Sequence, residues 1–354
     1  MKIILPINYP IATSYPGRAN LFAIEEEYPN LSAWMMERFI NTESLFEPKN
    51  FEFDIDFFVI PQIRYSSNFA LEAQNSFCPY IENMSIKSEI IGYNKVIQFI
   101  KKCIVDKYYV IIDINTKYIH SYTDTFLHNM FIYGFDDEKK IFYIADFFEN
   151  EHYNFKTCSY KEVKQGIEHF DDLVYIYDNP FGKSMLSLLR VKTYADHSFN
   201  INEFRNNLNE YLGITNNFYN IYKSTNYYNK DENRIFGIRH YDNLLKFISL
   251  CYESNNWIDN KRALQVFYEH KKVMLKRIEY LNKNVFDCLR ELNEMQDIVN
   301  RALYIRNTYL KIIVKKNISF ENYIQIIDRV NSIRDYEKTV LSRLNLKLSN
   351  TIYK

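Results

Sequence analysis

A histidine held by a carboxylate is the base half of a nucleophilic site, because the acid fixes the ring tautomer and stabilises the imidazolium formed on proton uptake. One pair in this chain has spacing that permits such an arrangement. His128 lies near the start of Leu127-His128-Asn129-Met130-Phe131-Ile132-Tyr133-Gly134-Phe135-Asp136, and Asp146 ends Ile141-Phe142-Tyr143-Ile144-Ala145-Asp146. Both runs are rich in β-branched and aromatic residues, and the polar cluster Asp136-Asp137-Glu138-Lys139 separates them as a turn would. The expected element is an antiparallel hairpin that brings His128 and Asp146 to one end. If Gly134 lies opposite Lys140, through an odd loop with a bulge, His128 falls opposite Asp146 on a shared face. A slip of one residue sends them to opposite faces.

A base needs a partner to activate. Cys78-Pro79 reads as a helix N-cap followed by proline at the first helical position, a setting that favours thiolate; the competing reading is a small buried apolar side chain. Cys103, Cys251 and Cys288 fall in helical patterns and are expected in the core. Glu269-His270 lacks the second histidine of a zinc helix, and His120, His152 and His169 have no metal-site spacing, so neither a metal nor a cofactor is expected. Lys271, Lys272, Lys276 and Arg277 form a basic run that either contacts an acidic partner or is a solvated face. Phe236 to Asp242 reads as a loop at a helix start, with Asp242 as the cap. No glycine-rich phosphate loop is present, and the aromatic residues are spread too evenly for a nucleic-acid stacking platform.

The elements that must position the pair follow from periodicity. A short strand is expected over residues 2–5, then an irregular segment to Gly17. Leu21, Ile24, Leu31, Met35 and Phe39 follow at helical spacing, interrupted or restarted at Pro29. Phe51 to Ile60 alternates like a half-exposed strand, and Ile91 to Ile104 reads as a helix. Tyr108 to Ile114 is apolar enough for a central strand buried on both faces, followed by a polar loop from Asn115 to Thr125. After the hairpin come a strand at Tyr153-Asn154-Phe155 and a helix from Ser159 to His169. Val174 to Tyr177 is expected to close the sheet before the turn-rich Asn179-Pro180-Phe181-Gly182. Beyond about residue 195 the period is helical throughout, ending in two long helices suited to packing as a hairpin or to oligomerisation.

Length and composition agree with two folded domains: 354 residues, 17% aromatic, with only seven glycines and eight prolines. The fold class expected is α+β, with an antiparallel-sheet domain over 1–180 and an α-helical domain over 195–354. The net charge is zero, yet residues 1–180 carry 16 Lys and Arg against 26 Asp and Glu, and the remainder carries the opposite excess. Docking of the two domains is the preferred reading of that asymmetry, ahead of an acidic carrier or nucleic acid. Five cysteines, an odd number at irregular positions without CxxC spacing, and no long apolar run point to a reducing cytoplasm without a membrane span.

The pattern His-x5-Gly-Phe-Asp, with a following strand ending Ala-Asp, resembles the His/Asp half of papain-like folds of the C39-peptidase type. More closely, it resembles the N-terminal domain of the butirosin biosynthesis protein H family. The resemblance covers about residues 1–180 and implies a cysteine-dependent acyltransferase that moves an acyl group from a carrier-protein thioester to an amine in specialised metabolism. It implies a nucleophilic cysteine at the start of the first long helix. Here that region reads Thr13-Ser14-Tyr15-Pro16-Gly17-Arg18, so Ser14 is the nearest substitute, and serine is the weaker nucleophile without a placed base and oxyanion donors. The expected site is therefore His128 as base, Asp146 as its orienter, and Ser14, Cys78 or no residue as nucleophile. Three functions stay open: acyl transfer from an acyl or peptidyl carrier protein to a small amine or peptide, non-catalytic binding of such partners, and processing of a leader peptide.

Overall fold

The computed structural model describes residues 1–58, 78–148, 152–173, 184–192, 197–217, 234–316 and 318–352. The expected strand Val174–Tyr177 and the turn Asn179–Gly182 lie outside them. The architecture is α+β, an antiparallel-sheet region and a helical C-terminal region. In chain order the elements are β1 (Lys2–Ile4), α1 (Pro16–Glu25), α2 (Pro29–Glu37), β2 (Asn41–Glu47), β3 (Glu52–Phe58), β4 (Ile81–Lys87), α3 (Ser88–Ile91), α4 (Val96–Val105), β5 (Tyr109–Asn115), β6 (Leu127–Asp136) and β7 (Ile141–Phe147). These are followed by β8 (Tyr153–Ser159), α5 (Tyr160–Glu168), β9 (Met185–Val191), α6 (Ile201–Tyr211), β10 (Arg234–Phe236), α7 (His240–Glu253), α8 (Lys261–Asn284), α9 (Leu289–Lys315) and α10 (Phe320–Ile352).

The contacts divide the chain into two units that are not consecutive in sequence: residues 1–32 with 63–197, and residues 33–62 with 198–354. The single boundary expected between 180 and 195 therefore misses one excursion. Residues 33–62 leave the first unit because β2 pairs with β3 and with β10, forming a three-stranded sheet that belongs to the helical unit.

In the first unit the sheet runs β4-β9-β5-β6-β7-β8, with β1 added beside β6. All seven residues of β5 are buried, as its unbroken apolar run requires of a central strand. Val110, Ile112 and Ile114 share one face with their partners Ile132, Met130 and His128. Helices α4 and α5 cover that face: Ile114 lies 3.4 Å from where a Cβ on Gly166 of α5 would stand, and Lys101 of α4 lies over the Phe135 ring. Helix α5 starts with a capping box, Ser159 accepting from the Glu162 amide while Glu162 accepts from the Ser159 amide. The opposite face carries Tyr109, Phe131 and Tyr153. Helix α1 packs there, through the 2.8 Å bond from the Tyr153 hydroxyl to Asn20. Pro29 restarts the helix as α2, while α4 begins at Val96, later than expected.

In the second unit, α8 and α9 pack side by side, and α10 packs against α9, α6 and α7. Their apolar stripes, including Leu264, Phe267, Met274, Met295, Ile305, Val330 and Leu344, are buried as the helical period requires. Phe53, Ile55 and Phe57 of β3 fill the same core.

Candidate functional site

The hairpin forms, but its register differs from the expected one. The turn closes between Asp136 and Ile141, where the Asp136 carboxylate accepts from the amides of Glu138 and Lys139. Gly134 lies opposite Tyr143 rather than Lys140. In this first stretch an even-numbered residue of β6 faces an odd-numbered residue of β7. Continued unbroken, it would send His128 and Asp146 to opposite faces. The register then shifts between Ile132 and Gly134, so that Ile132 pairs with Ile144 and Phe131 with Ala145. The one-residue bulge at Tyr133 changes the parity and returns His128 and Asp146 to one face, as diagonal rather than direct neighbours. His128 Nε2 then lies 2.9 Å from Asp146 Oδ1.

The carboxylate is held on both oxygens. Oδ1 accepts from the Phe147 amide at 2.7 Å as well as from His128, and Oδ2 accepts from the Tyr122 hydroxyl. Asp146 is 1% exposed, and the His128 side chain retains 18% exposure. An ionised carboxylate only accepts, so Nε2 carries the imidazole proton and Nδ1 of the neutral ring is the basic nitrogen. The His128 ring lies edge-on to Tyr122 and Phe126.

Tyr122 is hidden from sequence reasoning in what reads as a polar loop. That loop is fastened: the Thr116 amide donates to the Phe126 carbonyl, the Phe126 amide returns a bond to the Thr116 hydroxyl, and Tyr122 donates its amide to Ile119. The only available signal is an aromatic residue a few positions before the histidine.

Other candidates are placed elsewhere. Cys78 does not cap a helix; Pro79 and Tyr80 make a turn into β4. It is 2% exposed, and burial together with the nearby Glu25 carboxylate pushes its thiol far above the ordinary range. The β4 start aligns with the Tyr109 end of β5, whereas His128 pairs with Ile114 near the other end. Three strand spacings and at least roughly seven residues of rise separate them, on the order of 25 Å. Ser14 lies two residues before α1, whose body packs on the Tyr153 face; His128 and Asp146 occupy the other face. The structure thus joins His128 and Asp146 and brings Cys78 to neither.

The basic run of α8 also differs from expectation. Lys271 and Arg277 are fully buried, so they form neither a solvated face nor a surface for an acidic partner. Arg277 donates to the carbonyls of Met36 and Arg38, and burial lowers it to about 9. Lys271 Nζ stands 2.8 Å from Glu337 Oε2. Tyr211 and Tyr241 donate to the two oxygens of Glu337 at 3.0 and 2.6 Å. Burial, with Lys271 adding to it, holds the His240 and His270 rings neutral. Asp242 lies inside the first turn of α7 and does not cap it. Among the described residues, no group of three His, Cys, Asp or Glu side chains is placed to hold a metal ion, and no helix is long and apolar enough to cross a membrane.

What fold and site define is an α+β protein with a buried-carboxylate histidine at the end of an antiparallel sheet. The chain matches no protein-family model and no curated protein sequence.

Proposed function

We propose that this chain catalyses acyl transfer from a thioester to an amine, with His128 as the general base. The observation that carries the reading is the His128 Nε2 bond to an Asp146 whose two oxygens are both held, which puts the ring proton on Nε2 and makes Nδ1 the basic nitrogen of the ring. In the step proposed, the amine nitrogen bonds to the thioester carbonyl carbon and its proton passes to Nδ1. The C–S bond then breaks and the leaving sulfur takes that proton from the imidazolium, giving an amide and a free thiol. No acyl-enzyme is required, in keeping with the position of Cys78. The acceptor and the carrier-borne donor come from the resemblance of the His128 to Asp146 run to the butirosin H family.

Turnover of acyl N-acetylcysteamine thioesters with primary amines, followed by mass spectrometry of the amide, tests this. His128→Ala is expected to lower the rate by about 10²-fold or more. An unchanged rate overturns the assignment of the base, and an acyl adduct on Ser14 in the intact protein overturns the direct route.

A second reading, a module that binds a carrier, peptide or intermediate without turnover, is favoured by the packing of α1 on the face opposite the pair. It requires no turnover by the wild type and retained binding by a His128→Ala, Asp146→Ala double variant.

A further inference from the structure

We infer that Tyr122 is a positioning residue that sets the basicity of His128 by sharing the negative charge of Asp146. The inference rests on the general-base reading for its consequence in catalysis, but its geometry stands alone. Asp146 is a buried carboxylate with two ends: Oδ1 faces His128 and the Phe147 amide, and Oδ2 faces the Tyr122 hydroxyl. A hydrogen bond to an ionised carboxylate is roughly twice as strong as a neutral one, and in a dry site its effect on the charge is not screened by water. Without the phenol, the full charge of Asp146 would bear on the imidazole and favour imidazolium, which cannot accept a proton. With it, part of that charge is held at Oδ2 and the ring stays in the neutral, accepting form at a lower pH.

The phenol is built to do this. It is itself buried, so loss of its own proton is strongly disfavoured and it remains a donor. Its ring is packed between Phe126, His128 and Phe148, and its loop is tied to the end of β5 through Thr116. Among the described residues, charged and titratable groups near this face are engaged or buried. Lys156 of β8 lies over the Phe148 ring, and Cys158 of β8 is buried with its thiol pushed far up. His120 is paired with Glu162 of α5, and His169, beyond α5, is paired with Asp172.

The test is an NMR titration of His128 in selectively labelled full-length protein, with His120 and His169 as internal references. Tyr122→Phe is expected to raise the His128 midpoint by ~0.5–1 pH unit, three- to tenfold in proton affinity. The rise should vanish in an Asp146→Asn background, since the effect passes through that carboxylate. Replacing Tyr122 by 3,5-difluorotyrosine, a stronger donor of the same shape, is expected to move the midpoint down, and it serves if the phenylalanine variant does not fold. An unmoved midpoint in either folded variant, or a rise that persists in the Asp146→Asn background, overturns the inference. Wild-type thioester turnover is measured beside it: loss of the tuning with turnover intact overturns this inference alone, and tuning without turnover overturns only the acyl-transfer reading.

Discussion

Gly134 and Ile3 lie so close that a Cβ on Gly134 would stand 2.7 Å from the Ile3 carbonyl oxygen, and 3.0 Å from the Ile4 Cα. Backbone stands on the far side of that gap, with β1 hydrogen-bonded along β6 and the Leu5 amide donating to the Tyr133 carbonyl. The same two residues, Tyr133 and Gly134, carry the register shift that returns His128 to the face of Asp146. Glycine here permits the close approach that fixes the bulge.

Gly134→Ala is therefore expected to displace β1 and destabilise the protein by roughly 1–3 kcal/mol, the range for overpacking. Chemical denaturation measures the loss. An NMR map of the folded variant should show changed shifts at both Ile3 and His128; a change confined to β1 would separate the bulge from the pair.

Thiol chemistry gives a second check. All five cysteines are buried, and burial raises the thiols of Cys103 and Cys251 to about 11 and that of Cys288 to about 12. The native protein is expected to resist a thiol reagent at neutral pH and to release five thiols only in denaturant. Cys78→Ser should leave thioester turnover within about threefold of wild type. Rapid labelling of Cys78 in the folded protein, or loss of turnover in Cys78→Ser, would restore it as a nucleophile candidate.

Some of this is legible in the sequence for plain physical reasons. A seven-residue apolar run such as β5 has few homes besides a sheet interior, and the stripes of α8 to α10 fix helices and their buried sides. The His128 and Asp146 hairpin is readable as an element, but its register is not, because the bulge depends on β1, at the far N-terminal end of the chain. The strands β2 and β10 escape local reading for the same reason: they stabilise each other by pairing between positions distant in the chain, for which local periodicity carries no signal. Lys271 and Arg277 look like a solvated face because charge usually signals exposure. What buries them is partners on distant elements, Glu337 for the first and the carbonyls of Met36 and Arg38 for the second.

The buried Lys271 and Glu337 pair supports a prediction in which single and double changes differ in size. Both side chains are fully buried, and the carboxylate also accepts from Tyr211 and Tyr241. Lys271→Met leaves a buried carboxylate without its cation and is expected to cost roughly 3–5 kcal/mol. Adding Glu337→Gln removes the charge while keeping an acceptor for one phenol and offering an amide N–H to the other, whose hydroxyl can accept it, so the double variant should recover a large part of that loss. Equal losses in the single and double variants would show that the ion pair itself, rather than the uncompensated charge, carries the stability.

A pH dependence follows from Glu43 on β2. Burial raises its carboxyl to about 7, with Asp56 and Asp54 adding to the rise and Arg234, 2.9 Å away, opposing it. Because the folded state holds this proton more tightly than the unfolded chain, the contribution is greatest below about 4.5. It falls as the pH rises toward 7, and is constant above that. The expected amplitude is at most about 3 kcal/mol, since each tenfold change in proton affinity is worth about 1.4 kcal/mol. Glu43→Gln keeps the shape and removes the titration, so its denaturation midpoint should vary less between about pH 5 and 7.5 than that of the wild type. Glu162 bears the opposite sign: against the effect of its own burial, bonds from Ser159 and His120 lower its carboxyl to about 2, so its contribution is lost only as the pH falls below its unfolded value. Measuring the Glu43 effect above about pH 5 therefore keeps the two apart. If Glu43→Gln leaves the pH slope unchanged, Arg234 holds Glu43 ionised throughout the range, and β2 contributes a permanent ion pair instead of a titrating one.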